Sequence, residues 1–320
     1  MKKSSQLTDY YYKKLYPTLK KLEKERVQLK HRVVVVGVIY STFMLLIGVS
    51  LFKSSTSIEL LFIMLFGYFM GGKLIFNYLI KDYKTQFKDE VIAPLIESVN
   101  PALKYFPQLH IDPIYFTRSR LFNSRLDRVR GNDYVTGVID GTQIQFSDFH
   151  AQKKHKDSKG RTHWSTIFQG LFIVADFPKH FHGTTQILPD RAQRTFGDLV
   201  GHWLQSKNAM RGQLVKMDNV DFEKEFVVYS TDQVEARYIL SPSLMSRILL
   251  YKKRTGEDLL ISFSHSSIHL AIAYNRDLFE ASLFHSLLDY KIALEYTQTL
   301  YLAIGIVEEL KLNQRLWSKL

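Results

Sequence analysis

Twenty consecutive residues without a charge, Val33 to Phe52 (VVVVGVIYSTFMLLIGVSLF), dominate the hydrophobic pattern of the chain. At about 1.5 Å per residue, a helix of that length matches a hydrocarbon core of roughly 30 Å. A short polar link, KSSTS (Lys53 to Ser57), leads to a second apolar segment, Ile58 to Ile80. Glu59 opens this segment and Lys73 lies inside it, where its stem can reach toward the nearer interface. The pattern predicts a transmembrane helical hairpin over residues 33–80. Lys73 leaves open whether the second span crosses the bilayer fully. The first run is too long, and sits behind too many polar residues, for a secretory signal peptide.

Before the spans, Leu15, Leu19, Leu22, Arg26 and Leu29 recur at helical spacing. They predict a basic amphipathic helix within residues 1–32, starting near Pro17. Two placements are open for its stripe, on the bilayer or packed on the cytoplasmic domain. In the second span Gly67 and Gly71 form a GxxxG pair. Such a pair allows close helix approach, either between the two spans or in a homodimer.

After the spans the period changes. Residues from Thr85 to about Leu109 read as helical, interrupted by Pro94, Pro101 and Pro107. DYVTGVIDGTQIQFSDFHA (Asp133 to Ala151) alternates on either side of Asp140-Gly141 and predicts a β-hairpin. WSTIFQGLFIVADF reads as a strand buried on both faces, and TTQILP, EFVVYS, DLLISFSHS and SIHLAIAY as further strands. Ser241 to Arg254 predicts a helix with Ser241 as its cap and Pro242 in its first turn. The tail from Phe284 to about Leu310 reads as a long helix, too interrupted by Asp289, Lys291 and Glu295 to be a third span. The fold class expected is α+β: the hairpin, then a domain over 81–320 with a mostly antiparallel sheet and packed helices. A pleckstrin-homology-like barrel capped by the last helix is compatible with the strand count.

Charge decides the orientation. Of a formal net charge of +12, residues 1–32 contribute ten Lys/Arg against three Asp/Glu, while the link between spans offers only Lys53. The positive-inside rule then places both termini in the cytoplasm, in a multi-pass protein of the cytoplasmic (inner) membrane. Basic residues beside a span are attracted to anionic headgroups, which accounts for much of the surplus without nucleic acid. The absence of cysteine excludes disulfides, thiolate metal sites and a cysteine nucleophile.

Two positions raise the question of a metal. In GLFIVADFPKHFHG, His180 and His182 are spaced i, i+2, so in a strand they would share a face. Asp176, His150, His163, His202, His265 and His269 are the other ligands on offer. Pro178 breaks the strand before His180, and exposed or hydrogen-bonded histidines at a strand exit are the simpler reading. Asp140, Asp148, Asp176 and Asp232 fall at strand ends or turns, where Asp is common for local reasons. Glu235 and Arg237 suggest structural ion pairs. No phosphate-binding loop, dinucleotide fingerprint, HExxH or G-x-S-x-G is present, so no catalytic residue and no cofactor is assigned. The strongest surface candidate is the loop Lys153 to His163, in which Lys153, Lys154, Lys156, Lys159 and Arg161 face only Asp157. A solvated flexible loop is the simplest reading of it. As a binding surface, anionic lipid is favoured over nucleic acid or an acidic partner, because the chain is tethered to a membrane and aromatic interleaving is limited to Trp164 at its edge.

Several blocks in order carry a family resemblance: YPTLKKLEKER, the two spans, DYVTGVIDGTQIQFSDFHA, FQGLFIVADFPKHFHG followed by TTQILPD, EFVVYSTDQVEARYILSP, and VEELKLNQRLW. Together they resemble the bacterial family catalogued as domain of unknown function 3137. The resemblance implies a membrane-anchored bacterial protein with no established activity, cofactor or catalytic residues. The functional expectation is a non-catalytic binding or scaffold protein that presents a cytosolic domain to an unidentified protein partner and to anionic headgroups. The alternative is a membrane-bound, metal-dependent hydrolase using histidines at the sheet ends.

Overall fold

A computed structural model describes residues 11–54, 58–139, 141–176, 181–190, 212–274 and 279–288. The chain divides into two compact units, residues 1–95 with 279–297, and residues 96–278 with 298–320.

The first unit is helical. A π-helical turn, Tyr11–Leu15, runs into α1, Tyr16–Ser54, and α2 follows over Ile58–Phe87. At 39 residues α1 would be about 58 Å long, far more than a bilayer needs. The amphipathic stretch and the first apolar run are thus one uninterrupted helix with no break near residue 32. Past Pro17 the sequence offers no proline to stop it. Leu15, Leu19, Leu22 and Arg26 are buried, together with Tyr83, Phe87, Val91, Ile92 and Leu95. Of the two placements open for the stripe, cover by protein is the one observed. After α2 the helix widens into a π-turn, Lys88–Ile92, before α3, Ala93–Val99. Pro94 has no N–H to continue the α pattern, and Ala93 N–H reaches back to Lys88 O.

Tyr40 locks the two long helices. Its hydroxyl donates to the carbonyls of Gly67 (3.3 Å) and Tyr68 (3.1 Å), and its ring stacks on Tyr68. A Cβ at Gly71 would overlap that hydroxyl, whereas nothing lies within 4 Å of one at Gly67. Half of the glycine pair is therefore already used inside the hairpin.

The same unit includes a strap, residues 279–288, following the last strand of the other unit. It forms a bend and a turn here. The remainder of the expected C-terminal helix lies outside the described residues. Arg26 donates to Leu283 O, and Glu23 accepts from Leu287 N–H (2.9 Å) and the Ser286 hydroxyl (3.1 Å). The Arg26 guanidinium, first of all, holds the Glu23 carboxyl below its ordinary range. Lys84 and Lys88 both reach Glu280, at 2.6 and 3.3 Å.

The second unit holds one nine-stranded sheet. Its strands are β1 (Leu103–Phe106), β2 (Arg128–Ile139), β3 (Thr142–Lys156), β4 (Thr162–Asp176), β5 (Thr184–Pro189), β6 (Gln213–Val215), β7 (Phe226–Ser230), β8 (Leu259–Ser264) and β9 (Ser267–Ala273). The order is β1-β2-β3-β4-β9-β8-β5-β7-β6, with every neighbouring pair antiparallel. The α+β expectation holds. β1 differs from the sequence reading, which continued helix through that stretch. Four short helices complete the described part: α4 (Pro113–Arg118), α5 (Val220–Glu225), α6 (Gln233–Ile239) and α7 (Pro242–Thr255). As expected for α7, Ser241 caps it by accepting from Leu244 N–H, and Gly256 ends it in the left-handed region.

One sheet face is covered by the segment around α4. Ile111, Phe116 and Leu121 share a buried cluster with Phe149, Phe168, Phe172, Val174, Leu188, Leu260 and Ala271. The Phe116 ring centroid lies 4.7 Å from that of Phe122 and 5.1 Å from that of Phe149. Toward one end of this face the rungs turn polar, with His269 opposite Ser262 and Ser262 opposite Gln186. The cover supplies acceptors there: Gln186 Nε2 donates to Arg120 O at 2.6 Å, and the Ser264 hydroxyl to Arg118 O.

Candidate functional site

The histidines weighed as metal ligands do not group among the described residues. His180 and His202 lie outside the described residues, and Asp140 does too. His182 is exposed. Its backbone N–H and that of Gly183 donate to the two carboxylate oxygens of Glu235, at 2.9 and 2.8 Å. Glu235 thus clamps the entry to β5 instead of forming the ion pair expected with its neighbours. His150 Nε2 meets the Thr166 hydroxyl, and His163 meets Asp157. His269 is 2% exposed in the core beside Phe172. Asp176 accepts from Ser267, and Asp232 caps α6 through the N–H groups of Val234 and Glu235. Among the described residues no group of three or more His, Asp or Glu could hold a metal.

The basic residues do converge. The segment read as a loop is the end of a long hairpin. β3 continues to Lys156 and β4 begins at Thr162, leaving only residues 157–161 as turn. Asp157 organises that turn. Its carboxylate accepts from Lys159 N–H (2.9 Å), Arg161 N–H (2.8 Å) and Arg161 Nε (2.8 Å). The N–H of Arg161 is the largest of the influences holding the Asp157 carboxyl below its ordinary range. Arg161 is therefore partly neutralised in place. Lys153, Lys154, Lys156 and Lys159 have no ion-pair partner among the described residues.

Cross-strand register sorts these cations. Lys154 lies opposite Trp164 and Lys156 opposite Thr162, on one face of the hairpin. Lys153 lies opposite Ser165 and His155 opposite His163, on the other. Arg128 joins the first face from β2, opposite Gln152. Its guanidinium sits 3.9 Å from the centre of the Trp164 ring and donates to Gln152 Oε1 at 2.8 and 2.6 Å. The outcome is a projecting tip with lysines on both faces and a cation-stacked indole at its base. Sequence reasoning listed the cations and missed Arg128, because only the β2–β3 register brings it to Trp164. Arg130, Asn132, Asp148, His150 and Gln169 line an open depression of about 300 Å³ elsewhere on the same strands.

Two helices, spanning Tyr12–Leu51 and Ile58–Val99, are long and apolar enough to cross a membrane. They support membrane association by length and composition. No curated protein matches the chain. Among solved structures, the crystal structure of the mycobacterial trehalose monomycolate transport factor A, TtfA, matches at 10% identity. The match covers 66% of this chain and 95% of that one, with a TM-score of 0.33, too low to carry any argument about fold or role. A family model described as "Protein of unknown function (DUF3137)" matches residues 166–312, from within β4 onward. That is a narrower stretch than the resemblance read from the sequence blocks, which also drew on the spans and the β2–β3 hairpin. The resemblance is confirmed where the match falls: residues 166–312 are similar to the DUF3137 family of proteins of unknown function.

Proposed function

We propose that this is a bacterial inner-membrane protein that uses its sheet unit as a non-catalytic binding or scaffold module on the cytoplasmic side. The observation that carries the reading is the apolar surface of α1 and α2. Val38 and Leu45, within an uncharged run of bilayer length, are 61% and 65% exposed, and Phe66 in the second apolar segment is 70% exposed. Exposed apolar surface on this scale is unfavourable in water and suits a lipid surround. The ten basic residues ahead of the first span favour cytoplasmic termini. With a link of five residues between the spans, everything after α2 shares that side.

Within this reading the hairpin tip contacts anionic headgroups. Four lysines without an acidic partner concentrate positive potential, and each basic residue near an anionic surface contributes on the order of 1 kcal/mol. A homodimer through Gly67 and Gly71 would require Tyr40 to leave its place over Gly71. The test uses full-length protein in nanodiscs of phosphatidylcholine, with or without phosphatidylglycerol. The chain has no cysteine, so Ser158→Cys carries the only fluorophore. Its emission should shift in anionic discs alone, and the shift should fade with salt as the Debye length shrinks below roughly 8–10 Å. Replacing Lys153, Lys154 and Lys156 with Gln should weaken the shift far more than replacing the exposed Lys216, Lys224 and Lys253. Equal losses, or no shift at low salt, would remove the tip from the account.

A further inference from the structure

The strap at residues 279–288 has polar anchors at both ends and an exposed aromatic between them. Glu280 is held by Lys84 and Lys88, Leu283 O by Arg26, and Leu287 N–H by Glu23. The Tyr83 hydroxyl reaches Ser282 O at 3.5 Å. Leu283 and Leu287 are buried in the helical unit, yet Phe284 is 58% exposed. Its ring lies parallel to that of Phe76, within 1°, with centroids 6.5 Å apart.

The depth of Phe76 follows from the register of the two helices. Glu90 pairs with Lys21, Gly71 lies against Tyr40, and Gly48 lies against Met64. Interpolating along these antiparallel helices puts Phe76 level with Val35, the third residue of the uncharged run. That is about 4.5 Å beyond Arg32 toward the apolar side, at 1.5 Å per residue. Leu74 and Tyr78, its neighbours along α2, are 61% and 80% exposed. Phe284 therefore extends the apolar belt of the spans at the level where aromatic side chains favour the boundary between headgroups and acyl chains.

We propose that the strap is a third membrane contact, with Phe284 inserted into the lipid interface beside Phe76. The inference rests on the membrane reading above and adds to it. The segment that follows β9 would be fixed to the bilayer surface as well as to α1 and α2. The apolar ring would gain lipid contact while Glu280 and Glu23, already neutralised by Lys84, Lys88 and Arg26, remain at the polar level.

The test uses the full chain in bilayers, with single cysteines labelled by an environment-sensitive dye. Phe284→Cys and His285→Cys report on the strap, and the second keeps Phe284 in place. Leu45→Cys marks the span and, in phosphatidylcholine bilayers that offer the tip no anionic headgroup, Ser158→Cys marks water. Both strap labels should be quenched by lipids carrying a spin label near the headgroup. Their quenching by aqueous iodide should be severalfold weaker than at residue 158. The Leu45 label should respond to deep spin labels only. If the Leu45 label behaves so while both strap labels are as open to iodide as residue 158, the inference is overturned and the membrane reading stands. If the Leu45 label is itself open to iodide, both fall together.

Discussion

Gly170→Ala is expected to cost about 3–5 kcal/mol and to unfold the sheet unit well below the wild-type temperature. Gly170 pairs with Phe149 of β3 on one side and Ala273 of β9 on the other, in the middle of the sheet. Its φ of 149° belongs to a region that L-residues rarely enter. A Cβ there would overlap Ile272 O and come within 2.8 Å of Tyr274 N and 3.0 Å of Ala273 Cα. All three are backbone atoms, so no rotamer change relieves the overlap; β9 must move away from β4. The check is thermal or denaturant unfolding of the full chain in detergent, followed by near-ultraviolet circular dichroism. Gly37→Ala is the control, since nothing lies within 4 Å of a Cβ at that helical site. A loss at residue 170 no larger than at residue 37 would mean that β9 does not approach β4 as described.

Acid should weaken the sheet through His269. The side chain is 2% exposed, stacks beside Phe172 at 6.3 Å, and has no partner for Nδ1 among the described residues. Burial, above all, pushes its pKa from 6.5 down to about 4; the charge of His265 adds to this and a backbone contact to Ser262 opposes it. The sign follows from proton linkage. The unfolded chain takes up a proton below 6.5 that the folded protein refuses until about 4. Stability from this group is complete above pH 6.5, declines through that window and is lost below about 4. At about 1.4 kcal/mol per pH unit, the decline is on the order of 3 kcal/mol. His269→Leu removes the titrating group, so its stability should be flatter between pH 7 and 4 than that of the wild type. Parallel profiles for the two proteins would assign acid sensitivity to other groups.

The two long apolar helices were legible because an uncharged run of twenty residues suits little else, and α7 because Ser241-Pro242 and Gly256 mark both of its ends. Apart from the three-residue β6, most strands showed, β2 and β3 in their alternation and β4 as an apolar run. β1 did not, since LKYF is only four residues long and lies between Pro101 and Pro107, which read as interruptions of a helix. α4, α5 and α6 have six or seven residues, too few for a periodic signal, although Asp112-Pro113, Asn219 and Asp232 announce their caps. At the tip, the excess charge could be read along the chain. The Arg128–Trp164 stack could not, because it depends on pairing between strands. The strap was not legible: only its part from Phe284 onward falls in the apolar tail, and its anchors are side chains of the first unit more than 190 residues earlier in the chain.

Where the chain lies relative to the membrane is open to one direct measurement. Single cysteines at Ser5, Ser55 and Ser158 are to be exposed, in intact cells, to a thiol reagent that cannot cross the membrane. The native chain has no cysteine to confuse the signal. Ser55→Cys, in the link between the spans, should react at once. Ser5→Cys and Ser158→Cys should react only after the membrane is opened, because the proposed topology puts both ends of the hairpin on the side of the basic flank. Reaction of Ser158→Cys in intact cells would contradict the placement of the sheet unit, and protection of Ser55→Cys would contradict the hairpin itself.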